Sequence, residues 1–169
     1  MIDGFLKRIK AYNKPNFFGV TASGISGNLS VPETATGGTI VDDNGYRYHT
    51  FISTGTFVVL SGTKTVDILF QGNGAGGGGK TAGGGGAGGA LLQTGRSISG
   101  SNTYTQGSAS AGAYNVASSN AGNSTFDGMT TNGGGGGGAQ NSGGGSTGGC
   151  GGGKGQGTGS GGANQGNSS

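Results

Sequence analysis

The sequence predicts a mainly β protein. A small antiparallel β meander or sandwich is followed by a packed array of polyglycine II-type helices, with a short N-terminal helix in front. Three observations carry this. Between residues 39 and 71, short runs of β-branched and aromatic residues are separated by turn residues. Beyond residue 71 glycine dominates, with 38 of the chain's 47 glycines in residues 72–169. Before residue 19, Phe5, Ile9 and Tyr12 recur at spacings of four and three, one face of a helix. Three units follow: residues 1–18 as a basic amphipathic anchor segment, 19–71 as an antiparallel β domain, and 72–169 as a glycine-rich array.

The N-terminal helix is read from its ends inward. Asp3 stands where a cap belongs, and Asn13-Lys14-Pro15 stops the pattern. Lys7, Arg8 and Lys10 fall largely on the side away from Phe5, Ile9 and Tyr12. A helix of about ten residues is marginal alone, so its apolar face needs a cover. The β domain or a larger assembly can supply it, which makes Phe5, Ile9 and Tyr12 candidate anchoring residues. The segment is short and carries few large apolar groups for a membrane-surface helix.

In the β domain, TIV (39–41) and YRYHTFI (46–52) flank DDNG, whose Asn44-Gly45 is a hairpin turn signal. STG separates this strand from TFVVL (56–60), and SGTK leads to TVDILF (65–70), where Val66, Ile68 and Phe70 share a face. Connections this short exclude parallel crossovers, which need a dozen or more residues. So small a sheet needs a partner sheet or subunit to complete a core.

The glycine-rich segment cannot be ordered by side chains, because few are present. Fixing each residue costs about 1–2 kcal/mol, and glycine loses the most freedom. Backbone hydrogen bonding must offset that. Extended helices with three residues per turn make no internal hydrogen bonds and point their N–H and C=O groups outward. Packed side by side without Cβ atoms, they can satisfy one another. The islands ALL (90–92), SIS (97–99), TYT (103–105), AYNVA (113–117) and STF (124–126) then serve as turns and edges. Collagen is excluded, since the glycines follow no G-X-Y period and only two Pro are present.

Sites of chemistry are sparse. GAGGGGKT (74–81) matches a phosphate-binding loop and follows a strand. The mechanism needs a helix after the loop, and AGGGGAGGA follows Thr81 instead. Each glycine there costs a helix about 1 kcal/mol relative to Ala. The match is a by-product of glycine density, and no cofactor or metal is expected. His49, the only His, alternates with Tyr48 and Thr50 on a strand and reads as structural. Cys150 in GGCGGG has no neighbouring base to make it a nucleophile. Asp42 and Asp43 belong to the hairpin turn. No catalytic set emerges, so the chain is expected not to be an enzyme. Net charge is +3, with four of nine basic residues near the N-terminus, too few for a nucleic-acid groove. No stretch approaches the roughly 18 apolar residues of a membrane span, and the N-terminus lacks the apolar run of a signal peptide.

The order of these pieces resembles a glycine-rich domain of bacteriophage tail fibres, adhesins and related virion proteins. The resemblance rests on YRYHTFISTGTF (46–57), VDILFQGNGAGGGG (66–79), GGGGAGGALLQTG (83–95) and GNSTFDGMTTNGGGGGG (122–138), covering roughly residues 39–155. TYTQGSASAGAYN (103–115) departs from the clearer alternating strand usual there. The resemblance implies a virion structural protein in the phage particle, a tail fibre or fibre-tip component aiding host attachment. The alternative is a capsid decoration or tail-knob protein without receptor specificity. It further implies assembly as a homotrimer and contact with a bacterial surface receptor. Residues 1–18 lie outside the match, and the division of labour it suggests leaves them to anchor the chain to other virion proteins, with Phe5, Ile9 and Tyr12 the candidates from the helical spacing. Arg96, Tyr104, Tyr114 and Asn115 are the candidate receptor-contact residues. Nucleic acid and a membrane span are not expected.

Overall fold

A computed structural model describes residues 8–12, 34–140, 143–157 and 159–168. The chain is mainly β, its sheets are antiparallel, and no helix occurs among the described residues. One sheet holds β1 (Arg8–Tyr12), β2 (Ala35–Thr36), β3 (Thr39–Asp43), β4 (Tyr46–Thr50), β5 (Gly55–Gln71) and β6 (Ala90–Tyr104). Its order is β2-β5-β1-β4-β3, with β6 on β5. A second, two-stranded sheet pairs β7 (Ser124–Phe126) with β8 (Met129–Thr131).

The expected hairpin forms between β3 and β4. Asn44 (φ 48°) and Gly45 (φ 78°) take the left-handed pair of conformations a two-residue turn requires. Beside the turn, Arg47 Nε donates to Asp42 at 2.7 Å. That hydrogen bond and the guanidinium charge hold the Asp42 carboxyl below its usual range.

The N-terminal helix is corrected over residues 8–12. This stretch is a strand, β1, paired antiparallel with β4 on one side and β5 on the other, with Ile9 opposite both His49 and Ile68. RIKAY reads with period two as well as with helical spacing. Two open strand edges decide between the readings, because a short isolated helix has nothing comparable to satisfy its backbone. The rest of the expected helix lies outside the described residues.

TFVVL and TVDILF, expected as separate strands, are one 17-residue strand. Phe57 and Val59 point inward at odd positions, whereas Val66, Ile68 and Phe70 do so at even ones. A plain strand cannot change parity. The register slip between Val58 and Thr63, opposite Gly100 (φ 62°), makes the change and turns SGTK into an irregularity of a continuous strand. ALL, SIS and TY likewise belong to the single strand β6, so the sheet draws its longest pairing from beyond residue 71. Phe57, Val59, Val66, Ile68, Phe70, Ile98 and Tyr104 form the core with Phe126 and Met129 of the β7–β8 hairpin. That hairpin is the cover the sheet required.

Past Gln71 the chains stay paired, but the period changes. Gly72, Ala75 and Gly78 donate to the carbonyls of Gly89, Gly86 and Gly83 at 2.8–2.9 Å, every third residue rather than every second. Residues 133–138 then thread between several such segments. Gly134 and Gly137 donate to Asn73 and Gly76, and Gly135 and Gly138 donate to Cys150 and Gly153. Gly133 and Gly136 donate to Oδ1 of Asn123 and Asn120 at 3.0 Å. The carbonyls rotate in the same way. Those of Gly133 and Gly136 accept from Gly149 and Ser146, those of Gly134 and Gly137 from Ala121 and Ser118, and those of Gly135 and Gly138 from Gly86 and Gly83. All six glycines are buried, and their backbone groups are satisfied as burial demands.

These neighbours leave no room for a side chain. A Cβ on Gly135 would lie 1.9 Å from the Ser146 oxygen, and one on Gly136 1.9 Å from the Ser118 oxygen. Gly84, on the rim of the same array, would meet nothing within 4 Å.

Candidate functional site

The hydrogen-bond partners sort the array into segments that leave the sheets and segments that return. Residues 72–79 leave β5, and 83–89 return into β6. Residues 106–113 leave β6, and 116–123 return to β7. Residues 132–138 leave β8, and the C-terminal end comes back to it, where Thr130 pairs with Ser168. The turns between outgoing and returning segments therefore gather at the end of the array away from the sheets.

Three pieces of this far end are tied together. Lys80 (φ 53°) and Thr81 (φ 38°) form an exposed turn between two glycine runs, as their break in the glycine pattern suggests. Residues 113–116 form a second turn, closed by Val116 N–H to the Ala113 carbonyl, with Asn115 left-handed at φ 59°. Gly79 holds this turn. Its N–H donates to the Val116 carbonyl at 3.2 Å, and a Cβ there would lie 2.1 Å from the Ala113 oxygen. The third piece is the segment around Gln156, whose N–H donates to the Thr81 carbonyl at 3.0 Å. Tyr114 is 77% exposed at the summit of its turn.

The residues singled out from the sequence divide accordingly. Tyr114 and Asn115 stand together on the far-end turn. Arg96 lies in β6, near the sheets, and is engaged there: its Nε meets Asp127 at 2.5 Å, and a second nitrogen meets the Asp127 carbonyl. Tyr104 is buried, not displayed. It packs against Phe70 at 5.9 Å and Phe51 at 6.2 Å between ring centroids. Burial pushes its phenol up from the ordinary value, partly offset by a hydrogen bond with Ser124. Ile9 and Tyr12 occupy β1, at register positions inside the sheet. Phe5 lies outside the described residues.

His49 is a core residue whose Nδ1–H donates to the Gly37 carbonyl at 2.8 Å, with its ring edge-on to Phe57. In the phosphate-loop match, Ala75, Gly78 and Gly79 already donate to Gly86, Gly83 and Val116, and Gly76 donates to Ser110 Oγ. Those N–H groups are committed to the array rather than aimed at an anion. Among the described residues no group of three or more His, Cys, Asp or Glu is placed to hold a metal, and no helix is long and apolar enough to cross a membrane. An open hollow of about 270 Å³ lies beside Gly38, Thr39, Thr50, Phe51 and Ile52, and no ionisable side chain among the described residues lines it.

Two features escaped sequence reading. Asp127-Gly128, both left-handed, closes the β7–β8 hairpin, and Asp-Gly is a hairpin signal that could have found it. NAGN (120–123) and NQGN (164–167) place asparagines three residues apart. Asn120, Asn123, Asn164 and Asn167 each accept a backbone N–H through Oδ1. The signal was the spacing itself, equal to the period of the array.

No protein-family model, no curated protein and no solved structure matches this chain.

Proposed function

We propose that this chain is a bacteriophage virion structural protein, a tail-fibre or fibre-tip component that aids attachment to the host cell. In this reading the glycine-rich segments of residues 72–169 that lie outside β6, β7 and β8 form a packed array of polyglycine II-type helices. The three-residue rotation of hydrogen bonds along 133–138 supports that description, because such a helix has three residues per turn and no internal hydrogen bonds. At about 3.1 Å of rise per residue, seven-residue segments carry the far-end turns roughly 20 Å beyond the sheets.

The observation that carries the proposal is the Tyr114 turn seated on Gly79. An aromatic side chain is displayed on a backbone already held by neighbouring segments, so a partner need not order the loop in order to bind it. The motif order given above supports the virion setting. Among the described residues β3 and β6 each pair on one side only. Such edges invite pairing with further chains, which supports assembly as a homo-oligomer, a trimer by the resemblance. The function proposed is adhesive and structural, not enzymatic.

Particles carrying Tyr114→Ala test it. Adsorption to host cells is expected to fall while particle yield and thermal stability hold. Unchanged adsorption combined with fragile particles would favour a capsid decoration or tail-knob role instead.

A further inference from the structure

We propose that the far end of the array binds a phosphate-bearing glycan of the bacterial surface through Lys80, Lys154 and Tyr114. This rests on the host-attachment reading and names the partner's chemistry.

Residues 72–169 contain four charged side chains: Lys80, Arg96, Asp127 and Lys154. Arg96 and Asp127 pair with each other near the sheets. The charge left over is two lysines, and both are exposed. Lys80 forms the turn next to Gly79, against which the Tyr114 backbone lies. Lys154 lies two residues before Gln156, whose N–H meets the Thr81 carbonyl. The two lysines thus flank one hydrogen bond joining the far-end segments. The described carboxylates, Asp42, Asp43, Asp67 and Asp127, all belong to the strands or to the β7–β8 turn. Among the described residues the far end is a cationic surface without a competing acid, and it selects an anionic partner.

The residue type narrows the anion. Lysine lacks the planar fork with which arginine grips carboxylate or phosphate and acts as a point charge, so it gains most from the anion with the larger charge, a phosphate monoester at about −1.5 to −2 against −1 for a carboxylate. Tyr114 offers an apolar ring face with a hydroxyl at its tip, which suits a sugar ring better than a bare ion. Asn115, exposed beside it, and Gln156 add hydrogen-bonding amides for sugar hydroxyls.

The test uses the full chain and lipopolysaccharide from a strain to which the chain adsorbs, immobilised with its phosphates, after phosphatase treatment, and beside polygalacturonate as a carboxylate control. Removing the phosphates, or substituting Lys80→Gln with Lys154→Gln, is expected to weaken binding about tenfold, and raised salt should act in the same direction. Lys64→Gln, on β5, is expected to change nothing, and unfolding midpoints confirm that each variant folds. Equal binding after phosphatase, tighter binding to polygalacturonate, or an equal loss in Lys64→Gln overturns the proposal. Adsorption to cells without any lipopolysaccharide binding also overturns it, pointing to a protein receptor while host attachment stands. Failure to adsorb to any bacterial cell would overturn host attachment itself.

Discussion

In the sheet, Phe57, Ile68 and Phe70 fill the space between β5, β6 and the β7–β8 hairpin. In the array, residues 133–138 leave no space to fill, because neighbouring backbones already stand where a Cβ would go. The first region is held by apolar area removed from water. The second is held by hydrogen bonds between chains that glycine alone allows to approach. The regions meet at Gly72, where the same two paired chains pass from a two-residue to a three-residue period. Side chains impose the alternation of a pleated strand, and where they vanish the backbone is free to distribute its bonds among more neighbours.

Opposite substitutions should therefore harm the two regions. The largest loss is expected from Phe57→Ala, about 4 kcal/mol, for emptying a fully buried aromatic site. Denaturant unfolding measures it. Adding a single carbon should do nearly the same harm in the array. Gly135→Ala is expected to cost about 3 kcal/mol, since rigid backbone oxygens rather than side chains must yield. The comparison breaks if Gly135→Ala unfolds at the wild-type midpoint. Gly84→Ala is the internal control, expected to be neutral or stabilising by up to about 1 kcal/mol.

A smaller effect tests the asparagines. Asn120→Ala strands the Gly136 N–H and the Thr147 carbonyl that its amide bridges, and is expected to cost about 1–2 kcal/mol. Loss of a merely exposed residue would leave the unfolding midpoint unchanged. The sheet contains a pH response that the array lacks near its centre. The buried Tyr104 phenol ionises at higher pH in the folded than in the unfolded chain, so stability is full below about pH 10 and declines as pH rises past it. Thermal melts of wild type and Tyr104→Phe above that pH should converge if this is right. Smallest of all, Arg47→Ala removes an exposed ion pair with Asp42 and should cost less than about 1 kcal/mol by the same melts.

Much of the sheet was legible in local signals. Asn44-Gly45 declared the β3–β4 hairpin, and Val66, Ile68 and Phe70 declared an inward face, because turn chemistry and side-chain alternation are properties of adjacent residues. Of the candidate site, Tyr114 and Asn115 were legible as part of an island between glycine runs. Tyr104 was misplaced for a physical reason. Its neighbours Thr103 and Thr105 and the polar stretch around them resemble a loop, while the residues that bury it, Phe51 and Phe70, lie far away in the chain. RIKAY failed similarly, since a five-residue stretch carries two periodicities and distant strand edges choose between them.

By itself the sequence determined that this chain has two kinds of interior. Large apolar side chains are concentrated before residue 72 and confined after it to short islands, so the islands can bury carbon with the sheet while the glycine runs must bury backbone. Tertiary structure alone decided the partners. One glycine run is chemically the same as another, so nothing local tells residues 133–138 to lie among 72–79, 83–89, 117–123 and 144–153. That choice belongs to the strands at the base, whose side chains are distinct enough to pair in one register and thereby set which glycine segments stand side by side.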